Sequence, residues 1–226
     1  MPTNYDAVRT WAERMAASLT LNGEVERAVV AGSIRRGKEE PKDLEIVAQV
    51  KTVWRIKSEG LFGEKESLPE WDMSGLNDWL HSYIHVSKAF DYDQETKRNG
   101  TRYKRFRMNL STGIGGMVFE LWICCEEGWG NALGVRTGDK DFSHLLVTPR
   151  RKGGLMPDTL VQMQGRLWRY ENWEDASAAR EAKKPLNGVA IPCREESEFF
   201  GELGLTAPDP KDRTESTAKS LCYSPR

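Results

Sequence analysis

The sequence has no apolar run of about 18 residues, and its first residues, MPTNYDAVRT, lack both the basic and the apolar stretch of a secretory signal. Neither a membrane span nor a cleaved leader is expected, and the pattern predicts a cytoplasmic chain with no membrane partner. Cysteines are few: Cys124, Cys125, Cys193 and Cys222 form no C-x-x-C pair and have no histidine pattern beside them, which argues against a zinc site and against a disulfide framework. Neither charge sign dominates, since 33 Lys and Arg against 34 Asp and Glu leave a net charge of -1. Binding to a polyanion must therefore come from local basic patches and be sensitive to salt. There is no internal repeat and no low-complexity tract. What remains is 226 residues, 38% hydrophobic and 30% charged, enough for a real core in one domain or two small ones.

Along the chain, Val8, Trp11, Met15, Ala16 and Leu19 recur at spacings of three and four and predict an amphipathic helix over 4–20. Apolar or alternating runs at 28–31, 44–50, 83–86, 103–110 and 117–124, bounded by Gly, Pro, Asn or Asp, predict strands. Helical spacing returns over 128–146, is interrupted at Thr137 and Gly138, and stops at Pro149 and the basic PRRKGG. A second module is expected over 149–213. It holds a small strand pair within 157–173, a short polar and mobile stretch at 176–184, and a helix over 195–203. The chain beyond Arg213 lacks apolar periodicity, so 214–226 reads as a flexible tail.

The stretch VVAGSIRRGKEEPKDLEIVAQV sets two carboxylates inside what is otherwise a buried strand. Residues two apart in a strand share a face, so Asp43 and Glu45 point together while Leu44 and Ile46 enter a core. Like charges so placed repel and raise at least one pKa unless a cation neutralises them. Magnesium suits the task, because it takes a couple of protein carboxylates and completes its shell with water or substrate phosphate. Upstream, Gly32 allows close approach of the backbone to a ligand, the Ser33 hydroxyl and nearby amides can hold phosphate oxygens, and Arg35 and Arg36 add guanidinium forks, of which Arg36 is the one expected to face the site. A third acid, Glu120 in GMVFELWICC, stands between Phe119 and Leu121 and needs a partner. If its strand lies beside that of Asp43, the three acids form one spot that two metals could use to clamp an in-line phosphoryl displacement, with Glu120 accepting the proton of an attacking hydroxyl. Each feature alone is ordinary: Gly-Ser is a common turn, a strand-end acid pair is usually solvated, and a lone strand glutamate can pair with an arginine. Their combination in this order and spacing points to chemistry.

That combination resembles the nucleotidyltransferase superfamily, and GSIRRGKEEPKDLEI more narrowly resembles the metal-binding motif of family X DNA polymerases. Two further stretches, EEGWGNALGVRTGDKDF and REESEFFGELGLTAPDPKDR, resemble that family's segment after the third acid and its last helix and exit, so the likeness runs from about Val29 to Arg213. The resemblance implies an α+β fold, a nucleotidyltransferase palm over 1–148 with a central mixed sheet flanked by helices, and a small α+β thumb over 149–213. It implies two Mg2+ ions, for which Mn2+ can substitute, on Asp43, Glu45 and Glu120. Triphosphate falls to Gly32, Ser33 and Arg36, and Arg136, Thr137 and Gly138 lie against the nucleotide. The partners implied are a dNTP and a DNA primer-template or gapped duplex, bound by a monomer. The family usually carries Asp where Glu45 and Glu120 stand, and two aromatics where Val135 and Arg136 stand. With some 25 residues before the palm motif, the resemblance is to a minimal palm-and-thumb form, expected to lack the lyase and DNA-gripping domain of larger members.

The basic run KRNGTRYKRFRMN offers Arg102, Lys104, Arg105 and Arg107, and the module junction offers Arg150, Arg151 and Lys152; both are candidate contacts to the DNA backbone, the first equally a hairpin with a solvated face. Trp11, Trp79, Trp122 and Trp129 fall on apolar patterns and read as core, and His81, His85 and His144 as structural. Two other functions fit the same residues: a nucleotidyltransferase acting on RNA or a small hydroxylated molecule, and a DNA-binding module whose site has decayed.

Overall fold

The computed structural model describes residues 5–21, 25–59, 65–86, 90–91, 98–109 and 116–223. Its first layer is α1 (Tyr5–Leu21), whose buried stripe of Val8, Ala12, Met15, Ala16 and Leu19 follows the three-and-four spacing of the sequence. That stripe packs on one face of a mixed sheet built from β1 (Val25–Val30), β2 (Asp43–Val50), β5 (Phe90–Asp91), β6 (Arg98–Asn99), β7 (Tyr103–Met108) and β8 (Val118–Cys124). The strand order is β1-β2-β8-β7-β5, with β6 also on β7; β2 and β8 run parallel and the other pairs antiparallel. Between β1 and β2 the chain makes a single helical turn, α2 (Gly32–Arg35). A separate two-stranded ribbon, β3 (Thr52–Glu59) with β4 (Lys65–Trp71), and α3 (Ser74–His81) follow β2.

The other face of the sheet receives α4 (Trp129–Thr137), where Trp129 and Leu133 bury Ala31, Val47 and Cys124. The chain continues into α5 (Lys140–Val147), β9 (Leu160–Met163), β10 (Arg166–Arg169), α6 (Trp173–Ala182), β11 (Val189–Ile191), α7 (Glu196–Glu202) and α8 (Glu215–Tyr223). Strands β11-β10-β9 form a second, antiparallel sheet. The fold is α+β, and no helix among the described residues is long and apolar enough to cross a membrane.

Four expectations are corrected. Residues Ser82–Val86 are not a strand but a π-helical turn that prolongs α3. The stretch expected to be mobile at 176–184 lies mostly in α6, started by the Asn172 side chain, which accepts a hydrogen bond from Asp175 N, and anchored by buried Ala176 and Ala179. The expected flexible tail holds α8, which buries Ala218 beside α5. The second core begins before the expected boundary at 149, since Val135, Phe142 and Leu146 pack with Leu155, Met156, Phe199 and Phe200.

Candidate functional site

The alternation read in β2 is realised: Leu44 and Ile46 are fully buried on the α1 side, while Asp43 and Glu45 occupy the opposite face, half-buried. The parallel register sets Glu45 beside Glu120 and Asp43 beside Val118, so all three carboxylates share one face of neighbouring strands. Gly32 is fitted to this spot twice over. Its φ of +59° is left-handed, and a Cβ on it would lie 1.7 Å from Glu45 Oε2. Ser33 follows, 9% exposed, with its Oγ lacking a hydrogen-bond partner.

Ser33, Asp43 and Glu45 line a cleft of about 420 Å3 into which five cations also face, Arg36, Lys38, Lys42, Arg136 and Lys140. Cations outnumber the acids there, so the cleft suits an anion held beside a carboxylate pair. Arg36 is fixed by donating to the carbonyls of Thr137 and Gly138, both at 2.8 Å. The Gly138 position is closed to larger residues, because a Cβ would meet Phe142 Cδ1 at 2.4 Å. Thr137 is fully buried and its hydroxyl donates to Leu133 O, so it serves the turn and presents no side chain to the cleft. Arg35 turns away to donate to Thr137 Oγ1 and, through two nitrogens, to Glu196.

Burial is the first cause raising the Glu45 carboxyl, with the Asp43 and Glu120 charges adding to it, and the result is a pKa of about 7 despite the pull of Arg136. The indole N–H of Trp122, without a partner at hydrogen-bonding geometry, adds a weaker downward pull. Glu120 is already engaged: Tyr103 OH donates to its Oε1 at 2.6 Å, and Arg105 forms an ion pair with the same oxygen at 3.5 Å. Burial and that hydrogen bond push the Tyr103 phenol above its ordinary range. The Tyr103 ring stacks on Trp122 with centroids 4.1 Å apart, and the Arg136 guanidinium lies 3.3 Å from the Trp122 centroid.

The raised Glu45 gives a stability prediction. In the absence of divalent ions the folded state binds a proton at Glu45 that the unfolded chain, with an ordinary carboxyl near 4.5, has released. The folded form therefore binds more protons between those values, and stability must fall as pH rises from about 4.5 through about 7, by roughly 3 kcal/mol in all. Urea unfolding in EDTA across that range should show the decline, and Glu45→Gln should flatten it.

The donor set fits a hard divalent cation: three carboxylates on one face, one of them held protonated near neutrality by burial and by the charges of the other two, with an unpartnered buried hydroxyl beside them. As placed, no three His, Cys, Asp or Glu side chains among the described residues surround a common point, and Glu120 is held instead by Tyr103 and Arg105.

Other expected contacts divide. Arg102 and Arg107 are exposed, as are Arg150, Arg151 and Lys152 on a 3-10 turn, although Arg150 also donates to Leu203 O. Lys104 departs from expectation: it is 4% exposed and donates to Asn99 Oδ1, so it offers no charge to a duplex. Arg105 belongs with Glu120. Trp79 and Trp129 are core, but Trp122 borders the site. Its signal was present in the sequence, since Trp122 stands two residues after Glu120 on a strand and must share its face. Tyr103 went unassigned because nothing local pairs it with Glu120. Lys38, Lys42 and Lys140 sit in loops or at a helix start, where only the fold brings them together. No known protein-family model matches this chain, and no curated protein matches it either.

Proposed function

We propose that the chain is a nucleotidyltransferase of the DNA polymerase family X kind, transferring dNMP from a dNTP to a DNA primer 3'-hydroxyl with release of pyrophosphate, in a gap-filling setting. The observation that carries this is the Glu45–Glu120 register, with Asp43 two residues earlier on the same face and the Gly32–Ser33 turn closing over it. In the proposed reaction the primer oxygen forms a bond to the α-phosphorus, the bond from that phosphorus to the bridging oxygen breaks, and pyrophosphate departs. Asp43, Glu45 and Glu120 would hold magnesium, which supplies Lewis-acid stabilisation of the charge that builds on the phosphoryl oxygens. Ser33 Oγ, free of any intramolecular partner, donates to a phosphate oxygen. Arg36, its Nη1 fixed by two carbonyls, turns its remaining N–H groups to the triphosphate, and Lys38, Lys42 and Lys140 screen its charge. Glu120 takes the proton of the attacking hydroxyl once released from Tyr103.

One observation favours a second function, a module that binds primer ends without joining nucleotides: Glu120 Oε1 is already engaged within the protein, by both Tyr103 and Arg105. A single assay separates them. A gapped duplex offered each dNTP and each NTP, with magnesium or manganese, is expected to gain one templated deoxynucleotide. Tight duplex binding with no extension under any condition would establish the second function, and untemplated addition to RNA or a small alcohol would point to a transferase with another acceptor.

A further inference from the structure

The three carboxylates do not face an uncharged wall. Helix α4 crosses their side of the sheet and delivers Arg136 in its last turn. There the guanidinium carbon lies over the Trp122 ring, 3.3 Å from its centroid, and the residue lines the same cleft as Asp43 and Glu45. Trp122 in turn stacks on Tyr103, whose hydroxyl grips Glu120. The guanidinium is thus held by a two-ring stack above the carboxylate set, and the carboxylates acting on it are Glu45 and Glu120. An arginine on an aromatic face loses little by this packing and keeps its charge, which makes it a durable counter-ion.

We infer that Arg136 is a built-in counter-ion facing the Glu45 and Glu120 carboxylates, a positioning residue whose charge occupies their side of the cleft before a divalent cation arrives and weakens that cation's binding by competing with it. This rests on the proposed nucleotidyltransferase site, and it assigns Arg136 to the carboxylates and not to the triphosphate. The Arg136 charge already occupies the carboxylate side of the cleft, so that cation entry is coupled to displacement of the guanidinium. The consequence is a site that fills with metal only at the higher concentrations, or with the added charge of a metal-bearing polyphosphate.

The test uses terbium alone, whose luminescence is sensitised by nearby tryptophan, on the full chain without nucleotide or DNA. Arg136→Met keeps the length and the contact with Trp122 but removes the charge, and is expected to bind terbium about tenfold more tightly at low salt. Arg136→Lys, which retains the charge, is expected to stay within about threefold of the unaltered protein. Adding Asp43→Asn to Arg136→Met should abolish the gain, which locates the ion at this cleft. Equal or weaker terbium binding by Arg136→Met, with its melting temperature unchanged, would overturn the inference while leaving nucleotide transfer to be judged by the gapped-duplex assay. The same holds if Arg136→Lys tightens binding as much as Arg136→Met, because charge would then not be the cause. If no Asp43-dependent terbium signal arises in any variant, the counter-ion role falls, and the metal site with it.

Discussion

On the proposed metal-assisted chemistry, replacing Asp43 by asparagine is expected to lower nucleotide incorporation about a thousandfold with no loss of thermal stability. The size follows from what a metal ligand supplies. Stabilisation of transition-state charge by a bound cation amounts to several kcal/mol, and each 1.4 kcal/mol is a factor of ten in rate. The preserved stability follows from the same cluster. Asp43 is one of the charges that raise Glu45, so removing it relieves repulsion on the buried face and lets Glu45 return toward its ordinary pKa. Near neutral pH the variant should therefore be as stable as the parent or slightly more so, whereas a carboxylate that serves as the partner of a buried cation costs stability when its charge is removed. Single-nucleotide incorporation and thermal melting, measured on the same preparations, check both halves. Undiminished incorporation would remove Asp43 from the chemistry.

Much of this site was legible in the sequence because β2 and β8 obey a period of two: once Leu44 and Ile46 are read as core, the faces of Asp43 and Glu45 follow. The register between β2 and β8 was not legible, because a two-residue slip keeps the apolar faces of both strands on the core and only the packed sheet selects Glu45 opposite Glu120. The errors elsewhere have a common physical source. Helices α6 and α8 bury Ala176, Ala179 and Ala218, small side chains that leave almost no hydrophobic stripe, so their periodicity is faint. The ribbon of β3 and β4 escaped because charged residues and Pro69 weaken its strand signature. The run at 83–86 has the composition of a strand, yet it follows α3 without a breaker and continues winding, with the rings of His81 and His85 4.6 Å apart. Isolated tertiary pairs, such as Tyr103 with Glu120, leave no trace at short range.

The largest stability effect is expected at a distance from the carboxylates. Glu196, at the start of α7, accepts from Arg35 of α2 through both oxygens, at 2.9 and 2.6 Å, and from Arg213 at 2.6 Å. One carboxylate thus joins the turn beneath the cleft to the C-terminal lobe. Arg213 is 2% exposed and spends its Nε on Pro208 O, so the loss of Glu196 would leave a buried guanidinium without its counter-charge. Arg35 is better placed, being more exposed and bonded also to Thr137 Oγ1. Breaking such a pair from one side costs about 3–5 kcal/mol, because the partner's desolvation is no longer offset. Glu196→Ala should therefore lower the urea unfolding free energy by that amount, and Arg35→Ala by distinctly less. Burial by itself would raise the Glu196 carboxyl, but the bonds and charges of Arg35 and Arg213 outweigh it and hold the pKa below its ordinary value. The contribution is then present at and above the ordinary carboxyl range and is lost as pH falls through the lowered value, so the gap between Glu196→Ala and the parent should persist at pH 7 and close in acid. A loss under 1 kcal/mol at neutral pH would mean that Arg213 finds another partner and that α2 is held to the C-terminal lobe chiefly through Arg36 and the Thr137–Gly138 carbonyls.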